Sequence, residues 1–201
     1  MKIKSAEFEA SAPDLASCPR WALPEFALIG RSNVGKSSLL NALSDRRDLA
    51  KVSSTPGKTK LMNFFVINGT WSLVDLPGYG YAKVGRQEQL EFNESTGDFL
   101  EGRRNLRRVF VLIDSRLPPQ AIDLEFVRWL DAGHVPYAFI FTKVDKHSAT
   151  QAQANVTLFQ QRVAEWRQEQ PAFFLSSAKT GRGRSEILAH VTAALREPIR
   201  A

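Results

Sequence analysis

The chain has 201 residues, of which 43% are hydrophobic and 24% are charged, and its formal net charge is +6. These values are typical of a globular protein with a full core, and the length suits one large domain better than two. The longest apolar runs fall well short of the roughly 18 residues that a membrane-spanning helix needs. The single cysteine, Cys18, excludes an internal disulfide and a cysteine-rich zinc site.

The excess of positive charge implies an anionic partner, and this charge is clustered along the chain. Such clusters are either solvated faces or surfaces that neutralise phosphate groups such as those of RNA. The clusters are Arg103, Arg104, Arg107 and Arg108; Arg182 and Arg184; and Lys51, Lys58 and Lys60.

The two ends of the chain carry no targeting signal that the sequence reveals. The start, MKIKSAEFEA, lacks the apolar stretch of a signal peptide, and the end, EPIRA, lacks a prenylation cysteine. We therefore expect a cytoplasmic protein without a membrane anchor. Residues 1–24 are predicted to be an extension packed on the core, with a short extended piece around Phe8, and residues 25–201 a single domain.

A glycine-rich loop follows the apolar run Phe26 to Ile29 and precedes a helix-forming run. In this order of strand, loop and helix, backbone N–H groups and the positive end of the helix dipole converge on a β-phosphate. We expect Lys36 to reach the β- and γ-phosphates and the Ser37 hydroxyl to reach a Mg²⁺ ion. The predicted nucleotide-contacting residues of the loop are Gly30, Arg31, Ser32, Asn33, Val34, Gly35, Lys36, Ser37 and Ser38.

The polar stretch from Ser44 to Lys60 lacks a periodic apolar face, which predicts a mobile loop. Asn68-Gly69 then joins two strand-like runs and predicts an antiparallel hairpin. Directly after the hairpin, Asp75 is expected to hold a Mg²⁺ water, and the Gly78 N–H to meet the γ-phosphate. Leu76 and Pro77 lie between them and are included among the predicted nucleotide contacts.

The rest of the chain alternates between helical and strand patterns. Helices are predicted at 87–102, 120–132, from Ser148 to about residue 169, and at 185–195, and strands at 109–113, 135–141 and 172–175. The predicted fold is an α/β, three-layer P-loop NTPase. It has a mainly parallel six-stranded sheet, one antiparallel edge strand and helices on both faces.

Two tetrapeptides follow buried strands and therefore lie at the same edge of the sheet as the glycine loop. Asp145 is expected to accept hydrogen bonds from N1–H and the exocyclic amine of guanine, which adenine does not offer. Lys143 is expected to lie along the base, and the Ala178 N–H to meet the guanine carbonyl oxygen. The predicted base-contacting residues are Thr142, Lys143, Val144, Asp145, Ser176, Ser177 and Ala178.

Taken together, these motifs resemble the translation-factor-related GTPases, and among them the EngB (YihA or YsxC) family of bacterial GTP-binding proteins. The resemblance rests on SAPDLASCP, GRSNVGKSSLLNAL, STPGKTK, DLPGYGYAKV, TKVDK and SSAKTGRG, and it covers nearly the whole chain. It implies binding of GTP or GDP with Mg²⁺ and a role in large-subunit ribosome assembly. It also implies a role in normal cell division and septation, with basic clusters facing ribosomal RNA.

The resemblance also implies which mobile-loop threonine binds Mg²⁺. It favours Thr59, whereas Thr55 competes for the role on the residues alone. The implied metal ligands are Ser37, Thr59 and Asp75, the implied catalytic residues are Lys36, Thr59 and Gly78, and the added nucleotide contacts are Gly57, Lys58, Lys60 and Leu61.

Three positions affect the expected mechanism. Tyr79 stands where many small GTPases carry a water-orienting glutamine, so we expect intrinsic hydrolysis at or below about 10⁻⁴ to 10⁻² per second. Thr142 stands where asparagine is commoner and makes fewer bonds, which predicts micromolar nucleotide affinity. Asn33 matches the asparagine that coordinates K⁺ in potassium-dependent relatives, which gives the hypothesis of a K⁺ site.

The leading hypothesis is a GTP-gated assembly factor, expected to be a monomer, that binds a precursor of the large ribosomal subunit. One rival is a regulatory signalling GTPase that acts on a protein partner without RNA contact. The other is a metabolic P-loop kinase, which Asp145 and Lys179 at their strand ends oppose.

Overall fold

The computed structural model describes residues 1–46, 48–50, 61–84, 87–91 and 94–197. Over these residues the elements follow in the order β1 (Ala6–Ala12), β2 (Glu25–Gly30), α1 (Lys36–Ser44), β3 (Met62–Ile67), β4 (Trp71–Asp75), β5 (Gly80–Val84), β6 (Gln87–Glu91), α2 (Glu94–Gly102), β7 (Leu106–Asp114), α3 (Ala121–Ala132), β8 (Tyr137–Thr142), α4 (Ala149–Ala164), β9 (Phe173–Leu175) and α5 (Arg184–Ala194).

Within the described ranges, seven strands form one sheet in the order β1-β3-β4-β2-β7-β8-β9, and β5 pairs with β6 in a separate two-stranded sheet. Adjacent strands from β4 across to β9 are parallel, whereas β3 is antiparallel to both of its neighbours. The predicted α/β architecture is confirmed, but the strand count is wrong by one. Because β1 pairs outside β3, the antiparallel strand lies inside the sheet and not at its edge.

The turn between β3 and β4 also positions the N-terminal strand β1. Asn68 and Gly69 have φ of 50° and 64°, and the Thr70 N–H donates to Ile67 O at 3.0 Å, as the predicted hairpin requires. The Asn68 side chain also accepts from the N–H groups of Lys4 and Ser5 at 2.6 and 3.1 Å. One turn residue therefore closes the hairpin and anchors the segment that leads into β1.

The predicted helix at 87–102 is wrong in its first part. Gln87–Glu91 is strand β6, paired antiparallel with β5, and helix α2 begins at Glu94. Glutamine, glutamate and leucine favour helices by less than about 1 kcal/mol per residue, so a hydrogen-bonded partner strand can outweigh that preference. The residue pattern of 87–91 alone does not reveal that this segment pairs with β5.

The other predicted elements are confirmed, with shifts at their ends. Ser148 caps α4 by accepting from the Gln151 N–H at 3.2 Å, but α4 ends at Ala164, earlier than predicted. Helices α2, α3 and α4 cover one face of the large sheet, and α1 and α5 cover the other, so each face has its own buried core. No helix in the described part of the chain is long and apolar enough to cross a bilayer.

A buried ion pair attaches the N-terminal segment to the sheet at the start of β2. Glu25 is fully buried and accepts from Arg103 Nε at 2.9 Å, Arg103 Nη2 at 2.6 Å and Trp21 Nε1 at 2.6 Å. Arg103 Nη2 also donates to Pro19 O at 2.7 Å. Arg103 thus joins three parts of the chain, although the division into residues 1–24 and 25–201 stays a prediction.

Arg103→Met should lower the free energy of unfolding by about 3 to 5 kcal/mol, because it leaves the Glu25 charge buried without its ionic partner. Urea denaturation followed by circular dichroism measures the change. The matched control is Arg162→Met, since the Arg162–Glu165 pair is 55% and 51% exposed. We expect less than about 1 kcal/mol there. Equal effects in the two variants would contradict a structural role for the buried pair.

Candidate functional site

The loop between β2 and α1 has the geometry expected of a phosphate cradle. Gly35 has a φ of 111°, and a Cβ placed on Gly30 would lie 2.7 Å from Leu112 O, so glycine is required at both positions. Among the described residues, no side chain caps the N-terminus of α1. The first N–H groups of α1 are therefore available to an anionic ligand.

Asp75, at the end of β4, is a buried carboxylate that lacks a partner on one oxygen. The residue is 6% exposed, and within the described part of the chain Asp75 Oδ1 has no hydrogen-bond donor. Burial raises the pKa of Asp75 to about 6, and the nearby Lys36 charge opposes this rise. An orphaned buried oxygen of this kind indicates a ligand that supplies the missing positive charge.

The residues present fit a Mg²⁺ ion bound partly by the protein. Ser37 is the second residue of helix α1, next to Lys36, and Asp75 supplies a carboxylate oxygen. The described residues contain no cluster of three or more His, Cys, Asp or Glu side chains that could enclose a metal alone. Mg²⁺ commonly takes one or two protein oxygens and completes its shell with waters and phosphate oxygens.

Gly78 packs directly on the phosphate loop. A Cβ at Gly78 would lie 2.6 Å from Gly30 O and 3.6 Å from Lys36 Nζ. Only glycine allows the two backbones to approach this closely. The structure therefore brings the Asp75 to Gly78 segment against the phosphate loop, as the sequence predicts.

The end of β8 is tied to the same loop by two side chains. Thr142 Oγ1 donates to Val34 O at 2.7 Å, and Lys143 Nζ donates to Asn33 O at 2.6 Å. The Thr142 hydroxyl, although shorter than an asparagine side chain, therefore reaches the phosphate loop. These bonds fix the predicted base-binding segment relative to the predicted phosphate-binding segment.

Asp114 was not among the predicted site residues, yet it holds Lys143 in place. Lys143 Nζ donates to Asp114 Oδ2 at 2.9 Å, and Arg116 Nη2 donates to the same oxygen at 2.7 Å. Burial tends to raise the pKa of Asp114, but the hydrogen bonds from Arg116 and Lys143 outweigh it and lower the pKa to about 2. Asp114 ends β7, and that position at the ligand edge of a parallel sheet was the signal available in the sequence.

Asp145 is exposed beside the segment that follows β9. A hydrogen bond from the Ser177 side chain is the main cause that lowers the pKa of Asp145, and Lys146 and Lys179 add to it. Ser177 is itself 2% exposed. Gly183 was another residue that the sequence did not reveal: its φ is 80°, and any Cβ there would overlap Leu175 O.

Most of the remaining predicted site residues fall into three groups; of the others, Pro77 and Ser176 are buried, and Arg31 and Ser38 are half-buried. The side chains of Val34, Leu76 and Val144 are buried in the core, so only their backbones remain for a ligand. The residues of the second group are exposed on the surface: Ser32, Asn33, Leu61 and Ala178. The predicted contacts Gly57, Lys58, Thr59 and Lys60, the alternative Thr55, and residues 47 and 51–60 of the loop predicted from Ser44 to Lys60 lie outside the described residues.

Tyr79 is buried and makes no contact with open solvent at the site. It is 2% exposed, its ring stacks on Phe126, and its hydroxyl donates to Asp123 Oδ1 at 2.9 Å. Asp123, in the first turn of α3, was also missed by the sequence analysis, since a single acidic residue in a helix is usually solvated.

The arginines at 103–108 do not form one exposed basic surface, which both sequence interpretations of this cluster assumed. Arg103 pairs with buried Glu25, Arg107 is 9% exposed, and Arg108 pairs with Glu197 at 2.8 Å. Arg107 and Arg108 lie in strand β7, which is central in the sheet, whereas Arg103 lies in the short connection before it. Arg104 remains exposed.

Arg184 is likewise occupied inside the fold, where its guanidinium donates to Ala42 O at 2.8 Å and Leu43 O at 3.1 Å. Its neighbour Arg182 is exposed, as are Lys146 and Lys179. Lys146 and Lys179 both act to lower the pKa of Asp145, and Arg182 belongs to the same loop as Ser177, whose N–H donates to Arg182 O at 3.2 Å.

Comparison with known proteins agrees with this geometry. Residues 25–143 match the family described as "50S ribosome-binding GTPase". A "Probable GTP-binding protein EngB" of Bacteroides fragilis is 46% identical over 191 residues, which cover 95% of this chain and 95% of that protein. The protein of the same description from Phocaeicola vulgatus is 48% identical, with 95% and 96% covered.

A solved structure supports the fold. The crystal structure of a probable GTP-binding protein engB matches with a TM-score of 0.63 at 19% identity, covering 87% of this chain and all of that chain. At this identity the likeness shows the architecture alone, whereas the sequence matches reach the level that defines a family. The chain therefore belongs to the 50S ribosome-binding GTPases and, among them, to the EngB family of GTP-binding proteins.

Proposed function

We propose that this GTPase is a GTP-gated factor in the assembly of the large ribosomal subunit, and that normal cell division and septation depend on it. It binds GTP or GDP with Mg²⁺ where β2, β4, β7, β8 and β9 end. The observation that carries the proposal is the convergence of Lys36, Gly78 and the unpartnered Asp75 oxygen at the N-terminus of α1.

In the proposed complex, each part of the chain has one task. The phosphate loop and Lys36 bind the phosphates, and the Gly78 N–H contacts the γ-phosphate. Ser37, Asp75 and Thr59 hold Mg²⁺, which neutralises charge that develops on the phosphates. Asp145 accepts from the guanine edge, held by Ser177 and surrounded by Lys146 and Lys179.

Slow intrinsic hydrolysis is part of the proposal. The buried Tyr79 hydroxyl donates to Asp123, so this side chain is not free to orient a water molecule. The ribosomal particle is then the source of any further catalytic group. The K⁺ site at Asn33 stays a hypothesis, and GTPase rates measured in KCl and in NaCl decide it.

The ribosomal partner is proposed to meet the rim around the base site. Lys146 and Lys179 are exposed there and help to lower the pKa of Asp145, and Arg182 is exposed on the loop that follows Ser177. Positive charge on an exposed rim suits a phosphate-rich surface. We propose a cytoplasmic monomer, and the signalling alternative without RNA contact predicts that these side chains are dispensable.

Asp145→Asn should exchange guanine preference for xanthine preference, because the amide donates to the xanthine 2-oxo group where the carboxylate accepted from guanine. Calorimetry with GDP and xanthosine diphosphate measures both affinities. Asp98→Asn is the matched control, since Asp98 is exposed on α2. Unchanged guanine preference in Asp145→Asn would contradict the base-site assignment.

Asp75→Asn should stabilise the nucleotide-free protein at pH 7 by about 2 to 3 kcal/mol while it removes Mg²⁺-dependent nucleotide binding. Below pH 3.8 the Asp75 carboxyl is protonated in both the folded and the unfolded protein, so the variant and the wild type should be equally stable. Between pH 3.8 and about 6 the carboxyl ionises only in the unfolded protein, and the wild type therefore loses stability as the pH rises.

Urea denaturation at pH 4, 6 and 8 measures this difference between the variant and the wild type. A stability difference that does not change with pH across that range would show that the pKa of Asp75 is not raised in the folded protein. Retention of Mg²⁺-dependent GTP affinity would remove Asp75 from the metal site.

Changing Lys179 and Arg182 together to glutamate should weaken cosedimentation with large ribosomal subunits in the presence of a non-hydrolysable GTP analogue. The expected loss is about tenfold or more, and wild-type binding should weaken as salt rises. Lys2→Glu with Lys4→Glu is the matched control, because both side chains are exposed and the charge change is equal. Equal sedimentation of both variants with the wild type would favour the alternative without RNA contact.

A further inference from the structure

Three side chains from different segments meet in a buried polar cluster beside the candidate site. Tyr79 Oη donates to Asp123 Oδ1 at 2.9 Å, and Arg31 Nε lies 3.3 Å from the same oxygen. Arg31 belongs to the phosphate loop, Tyr79 directly follows Gly78, and Asp123 lies in the first turn of α3. One carboxylate oxygen therefore connects both predicted phosphate-contacting segments to the same helix.

Neighbouring residues restrict the side chains of Asp123 and Tyr79. The Asp123 side chain is 2% exposed, and the Tyr79 ring stacks on Phe126 with centroids 4.2 Å apart and planes 22° apart. The N-terminal end of α3 also favours a negative charge in its first turn. Asp123 is thus held in one place, and both of its partners are held by it.

Gly78 is the residue that this arrangement positions. The Gly78 backbone lies against Gly30 and Arg31 of the phosphate loop. On its other side, the next residue is the anchored Tyr79. A shift of Tyr79 away from α3 would move Gly78 relative to the loop, and a γ-phosphate contact made through a backbone N–H depends strongly on such shifts.

We infer that Asp123 is a positioning residue: it ties Tyr79 and Arg31 to α3 and thereby sets the preference for a nucleotide with a γ-phosphate. The inference rests on the proposed function, because it presupposes that Gly78 contacts the γ-phosphate. Asp123 acts through its two partners and does not touch the nucleotide itself.

The chain offers an internal control of the same composition on the same helix. Tyr137 Oη donates to Asp131 Oδ1 at 2.9 Å, and Arg167 also pairs with Asp131. Tyr137 opens β8 and Asp131 is near the end of α3, at the opposite end of both elements from the candidate site. Asp131 also accepts from Trp166 Nε1 at 2.9 Å, so the sizes of the stability losses in the two clusters can differ. A purely structural loss should nevertheless affect GDP and GTP-analogue binding alike in both.

The test compares four variants of the full chain: Tyr79→Phe, Asp123→Asn, and the controls Tyr137→Phe and Asp131→Asn. Calorimetry in Mg²⁺ gives the affinities for GDP and for a non-hydrolysable GTP analogue. Tyr79→Phe keeps the ring stacked on Phe126 and removes only the hydroxyl. Each site variant should weaken the analogue by about threefold to tenfold, the range for one lost buried hydrogen bond, and GDP by less than about twofold.

The double variant of Tyr79→Phe and Asp123→Asn should weaken analogue binding by less than the product of the single effects. Tyr79→Phe removes the Tyr79–Asp123 hydrogen bond, and Asp123→Asn weakens the same bond by removing the charge of its acceptor. The two controls should leave the ratio of analogue to GDP affinity unchanged, even where they lower the melting temperature. If Asp123→Asn does not fold, Tyr79→Phe decides alone.

An unchanged ratio in the site variants would overturn the inference, and so would an equal change in the controls. A wild-type protein that binds neither nucleotide would instead overturn the proposed function, so the two failures are distinguishable.

Discussion

Two hydrogen bonds from the end of β8 into the phosphate loop are the contacts on which the rest of the candidate site depends. Thr142 Oγ1 donates to Val34 O, and Lys143 Nζ donates to Asn33 O. They fix the spacing between the base side and the phosphate side without help from a ligand. A preformed site loses less conformational entropy when its ligand binds.

The acidic residues around this edge fall into two classes with opposite energetics. Hydrogen bonds to Arg116 and Lys143 overcome the burial of Asp114 and lower its pKa to about 2, so its charge stabilises the fold. Burial dominates at Asp75 and Asp123 and raises the pKa of each to about 6. A fold that keeps such carboxylates forgoes stability, which is common where a ligand or a mechanism supplies the missing interaction.

The fate of the arginines shows how little net charge says about a surface. Arg103 and Arg184 carry positive charge in the sequence, but their guanidinium groups are donors to buried Glu25 and to the last carbonyls of α1. Their role is to connect segments. Fewer exposed positive side chains remain near Asp145, and they lie close together. The surface that contacts an anionic partner is therefore smaller than the net charge of the whole chain implies.

The sequence by itself determined the local chemistry: the glycine loop, the Asn68-Gly69 hairpin, the acidic strand end at Asp75 and the polar strand ends at Thr142 and Ser176. Each is a short-range pattern, because turn geometry, strand alternation and helix capping act between near neighbours. Only the tertiary structure decided that β1 joins the sheet, that Gln87–Glu91 is a strand, and that Arg103, Asp114 and Asp123 have buried partners. Those outcomes depend on contacts between residues far apart along the chain. A sequence does not show whether a carboxylate or guanidinium is solvated or is paired with such a distant residue.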